Sequence, residues 1–281
     1  MSKSIYFIYD VIRLDEKYLI NEFKSRSIDL KLVNAENEVL QINDLRLDGI
    51  GFIRTISQTR ALISSYIYET LGCISINNFK SMIIGENKLF TLMLLRKYGI
   101  PIPETYITFS KEKALELAQK LEKPLIVKPI QGSWGRFVSL INSVEELELL
   151  IKHREVMDNP LMKIFMIQEY VKKPDRDLRI IVVNDQVVAG IYRYSTNDWR
   201  TNTARGGIAK PLKIDLEIEE ISVKASKIVG TDYAGVDLIE SKDGYKVLEV
   251  NVVPEFKNVM KATGVNVAKY IVDMVIDKLK R

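Results

Sequence analysis

Short apolar runs alternate with amphipathic stretches along the first 80 residues, and this alternation restricts the fold more than any other feature of the sequence. The runs at 5–9, 30–33 and 47–53 predict strands. The spacing of apolar residues over 15–25 predicts a helix. Strands and helices that alternate through short links are typical of a parallel sheet with helices packed on it. We therefore predict an α/β fold that begins with a parallel α/β domain over residues 1–80.

The rest of the chain is predicted to form two further domains. A helix is predicted over 81–98, and two prolines follow it. Short strands then dominate, including a hairpin that turns at 184–185, so we predict a small lid domain over residues 81–190. Another helix, a strand pair and a C-terminal helix predict an α+β domain over residues 191–281.

The composition excludes several classes of protein. Lysine and arginine number 41 and aspartate and glutamate 37, which gives a net charge of +4 over 281 residues. Because no long basic run occurs, we expect no nucleic-acid partner, while an acidic partner is compatible with the charge. No apolar run reaches the ~18 residues that a membrane span needs, and no secretory signal is visible. A cytoplasmic enzyme without membrane association is therefore expected.

Cysteine and histidine each occur once. Cys73 cannot form an internal disulfide or a cysteine-rich zinc site, and we expect it to be a small buried residue. His153 cannot form a metal cluster alone, and we expect it to be a surface or capping residue. Neither residue is predicted to take part in catalysis.

Three side chains with oxygen atoms fall on two neighbouring predicted strands. Asp237 lies within the apolar run GVDLIE, and Glu249 and Asn251 lie two residues apart in VLEVN. Side chains two residues apart on a strand share a face, and a hairpin would bring Asp237 beside them. This set suits Mg²⁺, which takes carboxylates together with phosphate oxygens. A solvated polar face of the hairpin is the alternative.

Two lysines and a glycine-containing loop indicate a phosphate site. Lys88 lies in a helical stretch, and Lys128 ends the predicted strand PLIVK beside the loop GSWGR at 132–136. The backbone N–H groups around glycine can approach phosphates closely. The loop matches neither the P-loop nor the dinucleotide-binding pattern, so a solvated lysine and a tight hairpin remain alternatives.

Two further charged segments suit ligand binding. In QEYVKKPDRDLR, the backbone at 169–171 is placed to hold an adenine edge and a nearby carboxylate to hold ribose; a surface charge cluster is the alternative. The loop after Arg193 contains Arg200 and Arg205. Because arginine binds carboxylate or phosphate through two parallel hydrogen bonds, this loop predicts a site for an anionic substrate, or else a flexible basic surface loop.

The order of these features along the chain resembles the ATP-grasp fold. GSWGR, QEYV-x-KP-x-RD-x-R, YRYS, NTARGG, EVN and EFKN together resemble the LysX/ArgX family, the RimK-like ligases of amino-group-carrier lysine and arginine biosynthesis. The resemblance covers essentially the whole chain. It implies an ATP-grasp fold in which the N-terminal parallel α/β domain is the pre-ATP-grasp domain.

The resemblance also implies a role for each matching position. It implies contact with ATP for Lys88, Lys128, Gly132, Ser133, Trp134, Gly135, Arg136, Phe137, Val138, Gln168, Glu169, Tyr170, Val171, Asp175, Arg179 and Asn202. It implies binding of Mg²⁺, expected as two ions, for Asp237, Glu249 and Asn251. It implies contact with the amino-acid substrate for Arg193, Thr203, Ala204, Arg205, Glu255, Phe256, Lys257, Asn258 and Val259. The residues expected to be catalytic are Lys128, Arg193 and Arg205.

The implied reaction has two steps. ATP phosphorylates the side-chain carboxylate of the C-terminal glutamate of a small acidic carrier protein, LysW, with release of ADP. The α-amine of a free acidic amino acid then attacks the acyl phosphate, releases phosphate and forms an isopeptide bond. In this family, Asn followed by Ser or Thr at the positions equivalent to 258–259 goes with 2-aminoadipate, and Gly-Phe goes with glutamate. Asn258-Val259 half-matches the first pair. We therefore expect 2-aminoadipate, with glutamate or dual use as the alternative, and a homo-oligomeric enzyme.

Two other functions are compatible with some of these features. A RimK-type ligase that adds glutamate to another protein has the same ATP site, and only the acceptor separates it from a LysW ligase. A nucleotide-binding regulator without catalysis is disfavoured, because a sensor has no need of the full metal-binding set.

Overall fold

The N-terminal segment forms a parallel sheet with helices against it, which confirms the predicted α/β fold. The computed structural model describes residues 3–41, 43, 45–195, 199–201 and 207–280. The first elements are β1 (Ser4–Tyr9), α1 (Leu14–Ser25), β2 (Leu30–Asn34), β3 (Gly49–Ile53), α2 (Gln58–Thr70), β4 (Ile74–Ile76) and α3 (Phe79–Glu86). The strands lie in the order β2-β1-β3-β4, and every pairing is parallel.

A second, antiparallel sheet forms the lid lobe. Its elements are α4 (Lys88–Lys97), β5 (Thr105–Thr108), α5 (Lys111–Leu121), β6 (Leu125–Lys128), β7 (Ser139–Ile141), α6 (Val144–Glu155), a short 3-10 turn (Pro160–Lys163) and β8 (Phe165–Glu169). The strand order is β5-β8-β6-β7. Val127 and Ile167 pack with Ala114 of α5 and Leu147 of α6 on one face of this sheet. The glycine loop joins β6 to β7 at the edge.

A five-stranded antiparallel sheet forms the centre. Its elements are β9 (Arg176–Val183), β10 (Gln186–Tyr194), β11 (Ile208–Pro211), α7 (Leu216–Val229), β12 (Tyr233–Ser241), β13 (Gly244–Asn251), α8 (Lys257–Thr263) and α9 (Val267–Leu279). The strand order is β11-β10-β9-β12-β13, and β9 and β10 form the predicted hairpin. The predicted boundary between residues 190 and 191 lies inside β10, and the division into three domains remains a prediction.

Both faces of the central sheet are buried, so its polar residues require an explanation. Ile180 and Val182 pack on one face with α7, and Ile181 and Val183 pack on the other face with α9. This alternation follows from the two-residue period of a strand. Charged side chains interrupt the apolar pattern near the strand ends that meet the lid, and these interruptions mark the candidate site.

The prediction of one continuous helix over 81–98 is wrong, because two helices cover this segment. Asn87 has an extended backbone and separates α3 from α4. Its side chain accepts hydrogen bonds from the backbone N–H groups of Leu89 and Phe90, which caps the second helix. The break places Glu86 at the end of one helix and Lys88 at the start of the next.

The single cysteine and histidine lie where the sequence predicts. Cys73 is a buried free thiol. His153 is exposed in the last turn of α6. Among the described helices, none is both long and apolar enough to cross a membrane.

Candidate active site

A cleft of about 940 Å³, its open mouth included, lies between the lid sheet and the central sheet. We call it the first cleft. Two lysines lie on one wall: Lys88 at the start of α4 and Lys128 at the end of β6. The Lys88 ammonium donates a hydrogen bond to the Gly132 carbonyl and lies 3.7 Å from Glu249 Oε2. Lys128 is only 7% exposed, and burial together with the positive charge of Lys88 lowers the pKa of Lys128 to about 8.

The glycine loop forms the roof of this cleft. Gly132 and Gly135 have φ values of +128° and +65°, and Trp134 adopts +58°, so the loop turns sharply several times. The cleft is lined by Gly132, Ser133, Trp134, Gly135, Arg136 and Val138, whereas Phe137 lies outside the lining and is half exposed. The buried Arg154 of α6 donates to the Phe137 carbonyl at 2.9 Å. This anchor was missed in the sequence because Arg154 resembles an ordinary helix-surface arginine.

The end of β8, the strand that pairs with β6, forms the next part of the lining. Gln168, Glu169, Tyr170 and Val171 line the first cleft, and the contact with ATP that the resemblance implies for them stays a prediction. Lys246 of β13 donates to Glu169 Oε1 at 2.6 Å, which links the lid to the central sheet. The apolar side chains of Ile126, Ile239 and Leu248 complete this region of the lining.

The predicted metal-binding residues come together on the β12–β13 hairpin. Asp237 pairs with Glu249 in the antiparallel register, and the Asn251 amide donates to Glu249 Oε1 at 3.3 Å. No group of three or more acidic, histidine or cysteine side chains suited to a metal occurs in the described ranges. The set therefore consists of two carboxylates and an amide. That number of protein ligands fits Mg²⁺, which usually keeps waters and takes substrate phosphates as its remaining ligands.

Two arginines neutralise the buried acid of this set. Arg179 forms a two-bond pair with Asp237, and Arg193 Nη2 lies 3.0 Å from Asp237 Oδ2. Arg193 also pairs with Asp177 at 2.6 and 2.9 Å. Burial raises the pKa of Asp237, but the Arg179 and Arg193 guanidiniums outweigh it and hold that pKa below its ordinary value. Asp237 is therefore an ionised carboxylate.

A second cleft of about 1070 Å³, its open mouth included, adjoins the first. The two share Ser133, Trp134, Arg193 and Glu249 in their linings. The other charged and amide side chains of this second cleft are Arg13, Gln58, Glu86, Arg179, Asn251, Glu255 and Asn258. Burial raises the pKa of Glu86 to about 8. A group bound in the second cleft thus lies next to one bound in the first.

Several predicted residues lie elsewhere. Asn202, Thr203, Ala204 and Arg205 lie outside the described residues. Asp175 is not among the described residues that line either cleft. Arg179 was expected near adenosine, and it lines the second cleft instead. Phe256 and Lys257 are absent from both described linings: Phe256 is fully buried in the core, and Lys257 pairs with Glu255. Glu255, Asn258 and Val259 do line the second cleft, and Val259 is 1% exposed.

Comparison with known proteins identifies the family. Residues 85–275 match the RimK-like ATP-grasp domain, and residues 5–84 match the LysX preATP-grasp domain. The alpha-aminoadipate–LysW ligase LysX of Saccharolobus solfataricus is 40% identical to this chain, and the match covers 96% of this chain and 99% of the LysX chain. The glutamate–LysW ligase ArgX of Sulfurisphaera tokodaii is 37% identical to this chain, and the match covers 96% of this chain and 97% of the ArgX chain. The chain belongs to the LysX/ArgX family of RimK-like ATP-grasp ligases.

As a member of the LysX/ArgX family, the protein is an ATP-dependent ligase that joins a carboxylate to an amine. Its fold matches the ATP-grasp ligase PsnB, solved with a phosphomimetic precursor variant, Mg and ADP, with a TM-score of 0.73 and 19% identity over 98% of each chain. The resemblance drawn from the sequence motifs is therefore confirmed, and so is the ATP-grasp fold.

A buried charge network supports the second cleft of this LysX/ArgX-family enzyme. Arg54 is fully buried and donates to Glu16 Oε1 at 2.8 Å, to the Tyr233 hydroxyl at 3.1 Å and to the Pro254 carbonyl at 3.1 Å. Arg13 in turn donates to Glu255 Oε1 at 2.6 Å. The N-terminal domain thereby holds the segment that leads into α8. Sequence patterns do not indicate this network, because Arg13 and Glu255 are 242 positions apart.

We expect Arg54→Lys to destabilise the protein and to weaken binding of the amino acid. Lysine keeps the charge but has no forked guanidinium, so it leaves Tyr233 or Pro254 without a donor. The free energy of unfolding should fall by about 1–2 kcal/mol, and KM for the amino acid should rise more than KM for ATP. Denaturant unfolding and steady-state kinetics measure both. Arg60→Lys, at a half-exposed arginine of the same lobe, is the control; equal effects of the two substitutions would contradict the role given to the network.

Proposed function

We propose that this ligase activates the side-chain carboxylate of the C-terminal glutamate of the carrier protein LysW, in the cytoplasm, and joins it to the α-amine of 2-aminoadipate. The observation that carries the proposal is the shared wall of the two clefts, formed by Arg193, Glu249 and Ser133-Trp134. It supports transfer of a phosphate from the first cleft to a carboxylate in the second. The relatives include ligases named for 2-aminoadipate and for glutamate, so glutamate is the alternative substrate.

The first cleft suits ATP. Its apolar end, at Ile126, Tyr170 and Leu248, can take an adenine ring, and the backbone beyond Gln168 can meet the adenine edge. At the other end, Lys88 and the glycine loop are placed to hold the phosphates. Phosphoryl transfer to a carboxylate brings anions together, so positive charge in a site sheltered from water lowers the barrier.

The hairpin suits Mg²⁺ at the phosphate end. Asp237, Glu249 and Asn251 would hold the metal, and we propose two ions. The metal supplies positive charge to the phosphate oxygens when it is bound. Arg179 and Arg193 neutralise Asp237 and also line the second cleft, where the Nη1 group of each, which forms none of these bonds, can donate to a substrate carboxylate.

The second cleft suits two acidic reactants. Arg193, at the shared wall, is placed for the carboxylate that is phosphorylated. Arg13 and Asn258, in the same lining as Glu255, are placed for the distal carboxylate of the free amino acid. An acyl phosphate hydrolyses readily, so the glycine loop must exclude water while the amine attacks. Arg200 supports that loop by donating to the Val138 carbonyl at 3.2 Å.

We expect the enzyme to prefer 2-aminoadipate over glutamate. The two amino acids differ by one methylene, and one methylene in a fitted pocket is worth roughly ten- to two-hundred-fold in kcat/KM. Asn258 offers an amide to the distal carboxylate of the longer substrate, so Asn258→Ala should reduce the preference about tenfold. A competition assay with ATP, the carrier protein and both amino acids measures kcat/KM for each.

The same assay separates the proposal from its alternatives. Asn142→Ala, at an exposed asparagine of the lid lobe, is the matched control and should leave the preference unchanged. A wild type that prefers glutamate would overturn the choice of amino acid. Turnover with ribosomal protein or peptide acceptors, but none with the carrier, would instead favour a RimK-type ligase.

A further inference from the structure

One acidic side chain of the second cleft has no partner. Glu86 ends α3 and is 7% exposed, and it lines the cleft. In the part of the chain that the structure describes, no cation or hydrogen-bond donor pairs with its carboxyl group. The neighbouring acids differ: Glu249 lies 3.7 Å from Lys88, and Glu255 accepts from Arg13 at 2.6 Å. Glu86 is therefore the acid of this lining that remains available to a ligand.

The position of Glu86 is unfavourable for the fold alone. A carboxylate at the last residue of a helix faces the negative end of the helix dipole. The last turn of α3 contains no basic residue to offset it. Burial without a cation is also costly for a carboxylate, which is why the pKa of Glu86 rises to about 8. The free protein thus lacks the positive charge that this side chain would pair with.

The reactants contain one organic cation that fits. This step rests on the proposed function. ATP is an anion, and the C-terminal glutamate of a carrier has carboxylates but no free amine. The incoming amino acid has two carboxylates and an α-ammonium group. Arg13, Arg179 and Arg193 in the same lining keep N–H groups beyond those that pair with protein carboxylates, and these groups suit the carboxylates of the amino acid. The ammonium group is therefore the part of the amino acid left for an acidic side chain.

We infer that Glu86 binds the α-ammonium group of the incoming amino acid and thereby holds its nitrogen beside the shared wall of the two clefts. The break at Asn87 supports this placement, because it ends α3 at Glu86 and starts α4 at Lys88, which faces the first cleft.

The test compares a ligand that has the ammonium group with one that lacks it. Adipate is 2-aminoadipate without its amino group, and it should act as a competitive inhibitor. We expect Glu86→Gln, which keeps the shape and removes the charge, to raise KM for 2-aminoadipate by about tenfold or more. The inhibition constant of adipate should change by less than twofold. Glu86→Asp, which keeps the charge on a shorter side chain, should give an intermediate KM.

Controls distinguish this role from a structural one. KM for ATP should be unaltered in Glu86→Gln, and its melting temperature should stay at or above that of the wild type, because the substitution removes a buried charge. Glu219→Gln, at an exposed acid of α7, should leave every constant unchanged. An unchanged KM for 2-aminoadipate, or equal weakening of 2-aminoadipate and adipate, would overturn the inference while leaving the proposed function intact. A wild type that turns over neither amino acid would overturn the proposed function and this inference with it.

Discussion

Replacing Lys128 with methionine is expected to lower ligase turnover about 10²–10³-fold while the fold is retained. Lys128 ends β6 beside the glycine loop and faces the first cleft with Lys88. Its ammonium group is nearly buried, so its charge would act on a phosphate bound in this cleft with little screening by water. Methionine has a similar length and no charge. The loss should therefore appear in kcat as well as in KM for ATP.

The same substitution should not destabilise the protein at neutral pH. Burial holds the folded pKa of Lys128 at about 8, below the ordinary 10.5 that applies to the unfolded chain. Between these values the unfolded state binds more protons, so this lysine makes stability rise with pH from about 8 to 10.5. Below pH 8 both states are protonated, and the buried charge costs about 3 kcal/mol. Methionine removes that cost.

Two measurements test this pairing of effects. Turnover with saturating ATP gives the catalytic loss, and thermal unfolding from pH 7 to 10 gives the stability. We expect the variant to melt at or above the wild-type temperature at pH 7, with the gap closing as pH rises. Lys120→Met, at an exposed lysine of α5, is the control. Full activity in Lys128→Met would remove Lys128 from the phosphate site, and a large drop in melting temperature would show that its role is structural.

The features that sequence reasoning predicted correctly share a physical basis. The parallel sheet follows from local alternation, and the neighbours Asp237 and Glu249 follow from a hairpin between adjacent strands. Lys128 is located by the strand that it ends and by the glycines that follow it. In each case the deciding interaction is local or joins consecutive elements, so periodicity and turn residues are sufficient to predict it.

The features that were missed depend on contacts between distant segments. Arg54 is an unremarkable arginine after a strand until Glu16, Tyr233 and Pro254 surround it. Glu86 has the pattern of a helix-surface acid, because the apolar spacing continues through Asn87 and hides the break. Tertiary packing determines the environment of these residues, and helix propensity alone does not predict tertiary packing.

Glu249 is a better probe of the proposed metal site than Asp237. Asp237 has a side chain only 3% exposed and neutralises Arg179 and Arg193, so removing its charge leaves buried arginines without a partner. Glu249 has a side chain 26% exposed, and its nearest cation is Lys88 at 3.7 Å. A change at Glu249 therefore tests metal binding with less disturbance of the fold.

We expect Glu249→Gln to lower turnover by about 10²-fold or more and to weaken Mg²⁺-dependent nucleotide binding. The amide keeps an oxygen but has no negative charge, and Mg²⁺ prefers carboxylates. Titration with Mg²⁺ should show a higher half-saturating concentration in turnover. Calorimetry with a non-hydrolysable ATP analogue should show that the gain in affinity from added Mg²⁺ is lost. Melting temperature should change little.

Glu240→Gln is the matched control. Glu240 is a carboxylate of the same hairpin, and its side chain is 21% exposed. It pairs with Arg176, and neither residue belongs to the described lining of either cleft. It removes the same charge and should leave the Mg²⁺ dependence unaltered. If Glu249→Gln shows the wild-type response to Mg²⁺ in both turnover and calorimetry, the metal is not held by this hairpin. If both variants lose the response equally, the effect comes from the charge of the hairpin as a whole rather than from a ligand at Glu249.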